Sequence, residues 1–189
     1  MKNPPLQFPR QHPAMLKVRL EEAARLLVEL PYSATPEHVA EKALELAALR
    51  PGERLVDLGC GEGNVLVVAA GKYGAYAVGV ELNPVLALRA AARVRKAGLD
   101  GYVDIVVGDL YSFDCSRFDV VFCYSSPAAS RRLSLKLLSE CKPGSRVVVH
   151  GYPLEGLRPL EVIEVPGCGE RAHRVYLYLV GLSAESKTL

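Results

Sequence analysis

The chain has 189 residues, half of them hydrophobic, with a formal net charge of +2 and a pI near 8.3. That length suits one well-cored domain and is too short for two of ordinary size. The charge is mild and no Lys/Arg stripe is present, so there is no strong nucleic-acid signal. The cysteines (Cys60, Cys115, Cys123, Cys141, Cys168) are scattered without a Cys-x-x-Cys or a nearby His, so no metal site is expected. No apolar run approaches the roughly eighteen residues of a membrane span, and the polar, proline-rich start lacks a signal-peptide core. A cytoplasmic protein is the expectation.

Over residues 14–30, Leu16, Leu20, Leu27 and Leu30 fall on one helical stripe among charged residues. This predicts an amphipathic helix within an N-terminal extension, residues 1–30, ahead of a main domain over 31–189. Thr35-Pro36-Glu37 combines a capping hydroxyl, a proline for the first turn and an acid, and predicts a helix running to about residue 49. A buried strand follows at 54–58, then a helix at 62–72, a strand at 75–81, and a helix at 84–97 capped by Asn83 and ended by Gly98. Strands at 102–107 and 118–123, a helix at 130–141 and a strand at 145–150 continue the alternation. Such alternation implies an α/β fold with a Rossmann-like, doubly wound, mostly parallel sheet. The runs 160–165 and 173–180 leave no room for a crossover helix and predict an antiparallel C-terminal hairpin.

Chemistry concentrates at three strand ends. Gly59, Gly61 and Gly63 lie between a strand and a helix, where a ligand can approach the backbone and the helix start. Their Gly-x-Gly-x-Gly spacing differs from the dinucleotide pattern, and Asp57 just before them would repel a pyrophosphate but accept from an ammonium group. Glu81 ends the second strand, about twenty residues further on, where a carboxylate can accept two ribose hydroxyls. Asp109 follows the third strand and can accept from an adenine amino group, with the Leu110 N–H donating to the ring.

In order and spacing, these elements resemble the class I S-adenosylmethionine-dependent methyltransferases, over residues 54–181. The resemblance implies a seven-stranded sheet and S-adenosyl-L-methionine as cofactor. It assigns cofactor contacts to Thr35, Asp57, Gly59, Gly61, Asn64, Glu81, Leu82, Asp109 and Leu110. The flanks, Pro31-Tyr32-x-x-Thr35-Pro36, the run from Lys142 to His150 and that from His173 to Leu179, look like the archaeal protein lysine methyltransferases and their mitochondrial relatives. That narrower resemblance implies N-methylation of lysine in a protein substrate. The end of the fourth strand, Tyr124-Ser125-Ser126-Pro127, departs from that family's pattern and keeps a small-molecule or RNA acceptor as the alternative; a non-catalytic cofactor-binding module whose N-terminal helix serves a partner is a third reading. Tyr32, Tyr124, Ser125, Ser126 and Pro127 are the candidates for the acceptor pocket. None is assigned a proton transfer, because methyl transfer from a sulfonium can rest on positioning alone. His150 ends the fifth strand on the same rim, where it reads as a hydrogen-bonded structural residue with a general base as the alternative; His173 is read as structural and Asp119 as a turn residue away from the site.

Overall fold

The computed structural model describes residues 33–167 and 172–183. The amphipathic run at 14–30, Tyr32 and Cys168 lie outside the described residues.

Each helix and strand expected after residue 33 is present, the strand at 54–58 with the expected bounds and the others with one or both ends shifted. Helix α1 spans Glu37–Leu46, strand β1 Arg54–Leu58, helix α2 Asn64–Tyr73, strand β2 Tyr76–Glu81 and helix α3 Pro84–Lys96. Strands β3 (Val103–Val107) and β4 (Val120–Ser125) lead to helix α4 (Ser130–Glu140) and strand β5 (Arg146–Gly151). Strands β6 (Glu161–Val165) and β7 (His173–Leu179) complete the sheet.

Asn83 caps α3 as its sequence suggests, with Oδ1 accepting from the Val85 N–H at 2.9 Å and Pro84 in the first turn. The start of α1 is a correction. Pro36 is the capping residue, its carbonyl accepting from Val39 and Ala40, while the Thr35 hydroxyl turns away to His150. Helix α2 likewise starts two residues later than expected, because Gly63 adopts a left-handed conformation and holds the turn open.

The strand order is β3-β2-β1-β4-β5-β7-β6, parallel except for β7, which runs antiparallel to both β5 and β6. Strand β1 pairs with β2 on one side and β4 on the other, so the chain reverses its winding direction there. Loops leaving the carboxyl ends of β1 and β4 therefore diverge, and an open α/β sheet forms its ligand crevice at that point.

Alternate strand residues feed two cores. Phe122, Val148, Val175 and Leu177 pack with α1 and α2 through Val39, Leu44 and Leu66. Val121, Val147, Val149, Tyr176 and Tyr178 pack on the other face against Leu133 and Leu137 of α4. Leu44, Leu66, Leu133 and Leu137 are fully buried, each contributing about 1.5–3 kcal/mol of apolar burial. These layers fix the strand ends that carry the site. Among the described residues no helix is long and apolar enough to cross a membrane.

Candidate active site

The loop after β1 is tied down by β2. Gly59 N–H and Cys60 N–H both donate to the Val80 carbonyl, at 2.8 and 3.0 Å, and Gly61 N–H donates to Glu81 Oε2 at 2.8 Å. Gly63, at φ +80°, sits in the left-handed region and close to α3: a Cβ would lie a tight 3.2 Å from that of Ala90. The second Glu81 oxygen accepts from Asn83 N–H at 2.8 Å. Glu81 thus joins the glycine loop to the start of α3, and each of its oxygens keeps a further lone pair for a ligand hydroxyl.

Asp57 is buried at the end of β1, and no hydrogen bond or ion pair reaches its carboxylate from the described residues. Burial, and next the charge of Glu81, push its carboxyl up to about 8. With Thr35, Gly59, Asn64 and Tyr124, it lines a narrow cleft. Asn64 opens α2 and donates from Nδ2 to the Thr35 carbonyl at 2.9 Å, while its buried Oδ1 has no partner among the described residues. An unmatched amide oxygen and an unmatched carboxylate in one cleft suit a ligand rich in N–H donors and positive charge. The ammonium end of S-adenosylmethionine meets that requirement.

Asp109 stands at the expected strand end but its carboxylate is engaged locally. Oδ1 accepts from Tyr111 N–H at 2.8 Å and Oδ2 from the Ser112 hydroxyl at 3.2 Å, an Asx-type turn that fixes the loop. Leu110 is half-buried, and its Cδ2 lies 3.8 Å from where a Cβ on Gly59 would stand, so it walls the glycine loop. Leu82 is half-buried next to Glu81.

On the acceptor side the candidates separate. Tyr124 lines the cleft, and its ring meets that of His150 edge-on with centroids 5.0 Å apart. Ser125 is fully buried, its hydroxyl donating to the Ser126 carbonyl at 3.3 Å, and Ser126 Oγ accepts from Ala129 N–H at 3.2 Å. Pro127 is exposed on the loop into α4. Asp119 sits at the opposite end of the sheet, accepting from Arg54 N–H and Lys142.

Two further features belong to the site. Phe122 lines the cleft beside Tyr124, and the period-two alternation of β4 was a signal for it. The buried chain from Thr35 Oγ1 to His150 Nδ1 (3.0 Å) and from His150 Nε2 to His173 Nδ1 (2.9 Å) had no sequence signal, because it joins three distant segments.

Together, the switch-point crevice, the glycine loop held by Glu81 and the buried Asp57 define an S-adenosylmethionine-dependent methyltransferase of the class I fold. The chain belongs to the ANTKMT methyltransferase domain family, whose model matches residues 57–161. It is 39% identical over 153 residues to a protein-lysine N-methyltransferase of Saccharolobus islandicus, covering 80% of this chain and 94% of that protein. It is 33% identical over 154 residues to the adenine nucleotide translocase lysine N-methyltransferase of Mus musculus, a match that covers 81% of this chain and 64% of the mouse enzyme. Among solved structures, an RNA methyltransferase from Salinibacter ruber in complex with S-adenosyl-L-homocysteine superposes with a TM-score of 0.74 at 30% identity, covering 82% of this chain and 95% of that one.

Proposed function

We propose that this methyltransferase transfers the methyl group of S-adenosylmethionine to lysine side chains of proteins. The observation that carries the reading is the 39% identity to a protein-lysine N-methyltransferase across nearly that enzyme's whole length. The bound cofactor supplies an electrophilic methyl group on a sulfonium and leaves as a neutral thioether. Asp57 and Asn64 Oδ1 accept from the ammonium end, Glu81 from the ribose hydroxyls, and the backbone at Gly59 and Gly61 passes close to the ligand. Leu82, Asp109 and Leu110 bound the adenine, with the free lone pairs of the Asp109 carboxylate accepting from its amino group. Thr35 closes the cleft above Asn64 through its carbonyl.

A lysine amine must be neutral to attack, and its ordinary pKa near 10.4 is lowered by an apolar pocket and by a neighbouring sulfonium. Tyr124, backed by Phe122, supplies apolar wall at the cleft. With the hydroxyls of Ser125 and Ser126 hydrogen-bonded at the turn into α4, these residues and Pro127 shape the acceptor entrance rather than hold the amine; Tyr32 is added to them on its sequence position alone. In this reading, residues 1–30 form an extension ahead of a catalytic domain over 31–189. Four free, buried cysteines among the described residues favour a reducing compartment, and the cytoplasm is the proposed location.

The likeness to the Salinibacter RNA methyltransferase favours RNA as the second reading. Incubating the enzyme with methyl-labelled cofactor and a cell extract, then separating protein from RNA, decides between them. Label lost on protease treatment supports a protein acceptor; label lost only on ribonuclease treatment overturns it.

A further inference from the structure

Thr35, His150 and His173 form a hydrogen-bonded chain that starts in the cleft and ends at the half-buried start of β7. Thr35 lines the cleft beside Asp57 and Tyr124. Its Oγ1 meets His150 Nδ1 at 3.0 Å, and His150 Nε2 meets His173 Nδ1 at 2.9 Å. Thr35 and His150 are both buried. The cofactor assignment uses the Thr35 carbonyl, which accepts from Asn64, and neither histidine.

We propose that His150, backed by His173, is a positioning residue that fixes the Thr35 hydroxyl as a hydrogen-bond acceptor toward the methyl-accepting amine. This rests on the lysine reading above. The hydroxyl hydrogen decides the direction. Among the described residues, Thr35 Oγ1 has His150 as its only partner, so the one buried acceptor within reach of its hydrogen is a bare Nδ1. A bare Nδ1 places the His150 proton on Nε2, from which it donates to His173 Nδ1, and leaves the His173 Nε2–H for the outer side. In the reverse order, each ring donates toward the cleft and the hydroxyl hydrogen has no acceptor among the described residues. The favoured order turns the Oγ1 lone pairs to the cleft, where they accept an N–H of the amine and leave its own lone pair for the methyl carbon. Attack then forms the N–C bond as the C–S bond breaks, with the electron pair staying on sulfur.

The neutral state this requires is supported by the surroundings. Burial, with His173 second, holds the His150 imidazole down at about 4. The ionisable groups around it are His173 from β7, with His38 of α1 edge-on to that ring, and Tyr124 from β4; no carboxylate pairs with it among the described residues.

An acceptor that needs an N–H carries a signature. A neutral lysine offers two, a monomethyl-lysine one and a dimethyl-lysine none, so Thr35 assists the first two transfers and not the third. The test has two arms. In the first, nitrogen-15 histidine NMR of the ligand-free protein at pH 8, with His150→Gln to assign the ring, reports a protonated Nε2 and a bare Nδ1; a protonated Nδ1 overturns the proposal. In the second, wild type, Thr35→Val and Thr35→Ser are incubated with cofactor and a cell extract, and methyl-lysines are quantified by mass spectrometry. Thr35→Val lowers mono- and dimethyl-lysine formation by about tenfold, raises the trimethyl-to-dimethyl ratio, and is rescued by Thr35→Ser. A uniform loss with that ratio unchanged, or no loss, overturns the proposal. If wild type forms no methyl-lysine, the lysine reading itself falls and the amine-holding role with it, while the NMR arm still reports the direction of the hydrogen bonds.

Discussion

Glu81 and Gly61 are joined at 2.8 Å, the carboxylate Oε2 accepting the N–H at the middle of the glycine loop. A single acid at the end of β2 therefore shapes the loop from one oxygen and holds the start of α3 from the other. Glu81→Gln replaces one acceptor oxygen by a donor and removes the charge from both bonds. Charge-assisted hydrogen bonds contribute about 1.5–3 kcal/mol, so cofactor affinity should fall by about 10- to 100-fold. Calorimetric titration with S-adenosylhomocysteine checks this, and unchanged affinity would remove Glu81 from the site.

Much of this arrangement was legible in the sequence, and the exceptions share a physical cause. Alternating apolar runs and the Asn83-Pro84 start specify β2 and α3 locally, and Asn83 caps as its type and position suggest. Thr35 misled because its sequence context favours a cap, whereas the fold offers its hydroxyl a buried imidazole from a strand 115 residues away. Ser125 and Ser126 suggest an acceptor site by type, yet the Ser125 hydroxyl donates to the Ser126 carbonyl and the Ser126 oxygen accepts from Ala129 N–H at the turn into α4. Residue type marks which groups can bond; only tertiary placement decides with what.

Asp57 gives ligand-free stability a pH dependence with a defined sign. Its carboxyl titrates near 8 in the folded chain against an ordinary 3.8, so across that window the folded state holds more protons and this contribution falls as pH rises. His150 acts oppositely: held at about 4 against an ordinary 6.5, it adds stability as pH rises between those values. The two oppose each other below about pH 6.5, leaving Asp57 alone from there to about 8. The melting temperature of the ligand-free protein should fall across that upper window, and Asp57→Asn should flatten it. A wild-type profile flat between those pH values would contradict the protonated, buried Asp57.

The same group makes cofactor binding release a proton. Near pH 7 the free site holds Asp57 largely protonated, and an ammonium placed against it favours the ionised form. Binding enthalpies measured in buffers of different ionisation enthalpy should report close to one proton released for wild type and none for Asp57→Asn. Equal proton release by both would move the effect elsewhere.

Gly151 ends β5 where β4 enters the acceptor loop, at φ +104° with a would-be Cβ 2.7 Å from the Ser125 carbonyl oxygen. That contact is with backbone and cannot be relieved by a side-chain rotation. Gly151→Ala should cost about 1–3 kcal/mol in urea unfolding and displace Tyr124, whose ring would also lie 3.3 Å from the new methyl. A variant as stable as wild type would show that this strand end is not constrained as described.

The acceptor atom defines the reaction. The most direct measurement is acid hydrolysis of the protein fraction labelled by this enzyme from methyl-labelled cofactor, with chromatography of the released amino acids. The expected result is label on Nε-methylated lysine, lowered about 10- to 100-fold when Glu81→Gln enzyme is used at limiting cofactor. Label on any other amino acid, or confined to RNA or small molecules, would contradict lysine methylation while leaving the fold and cofactor site as described.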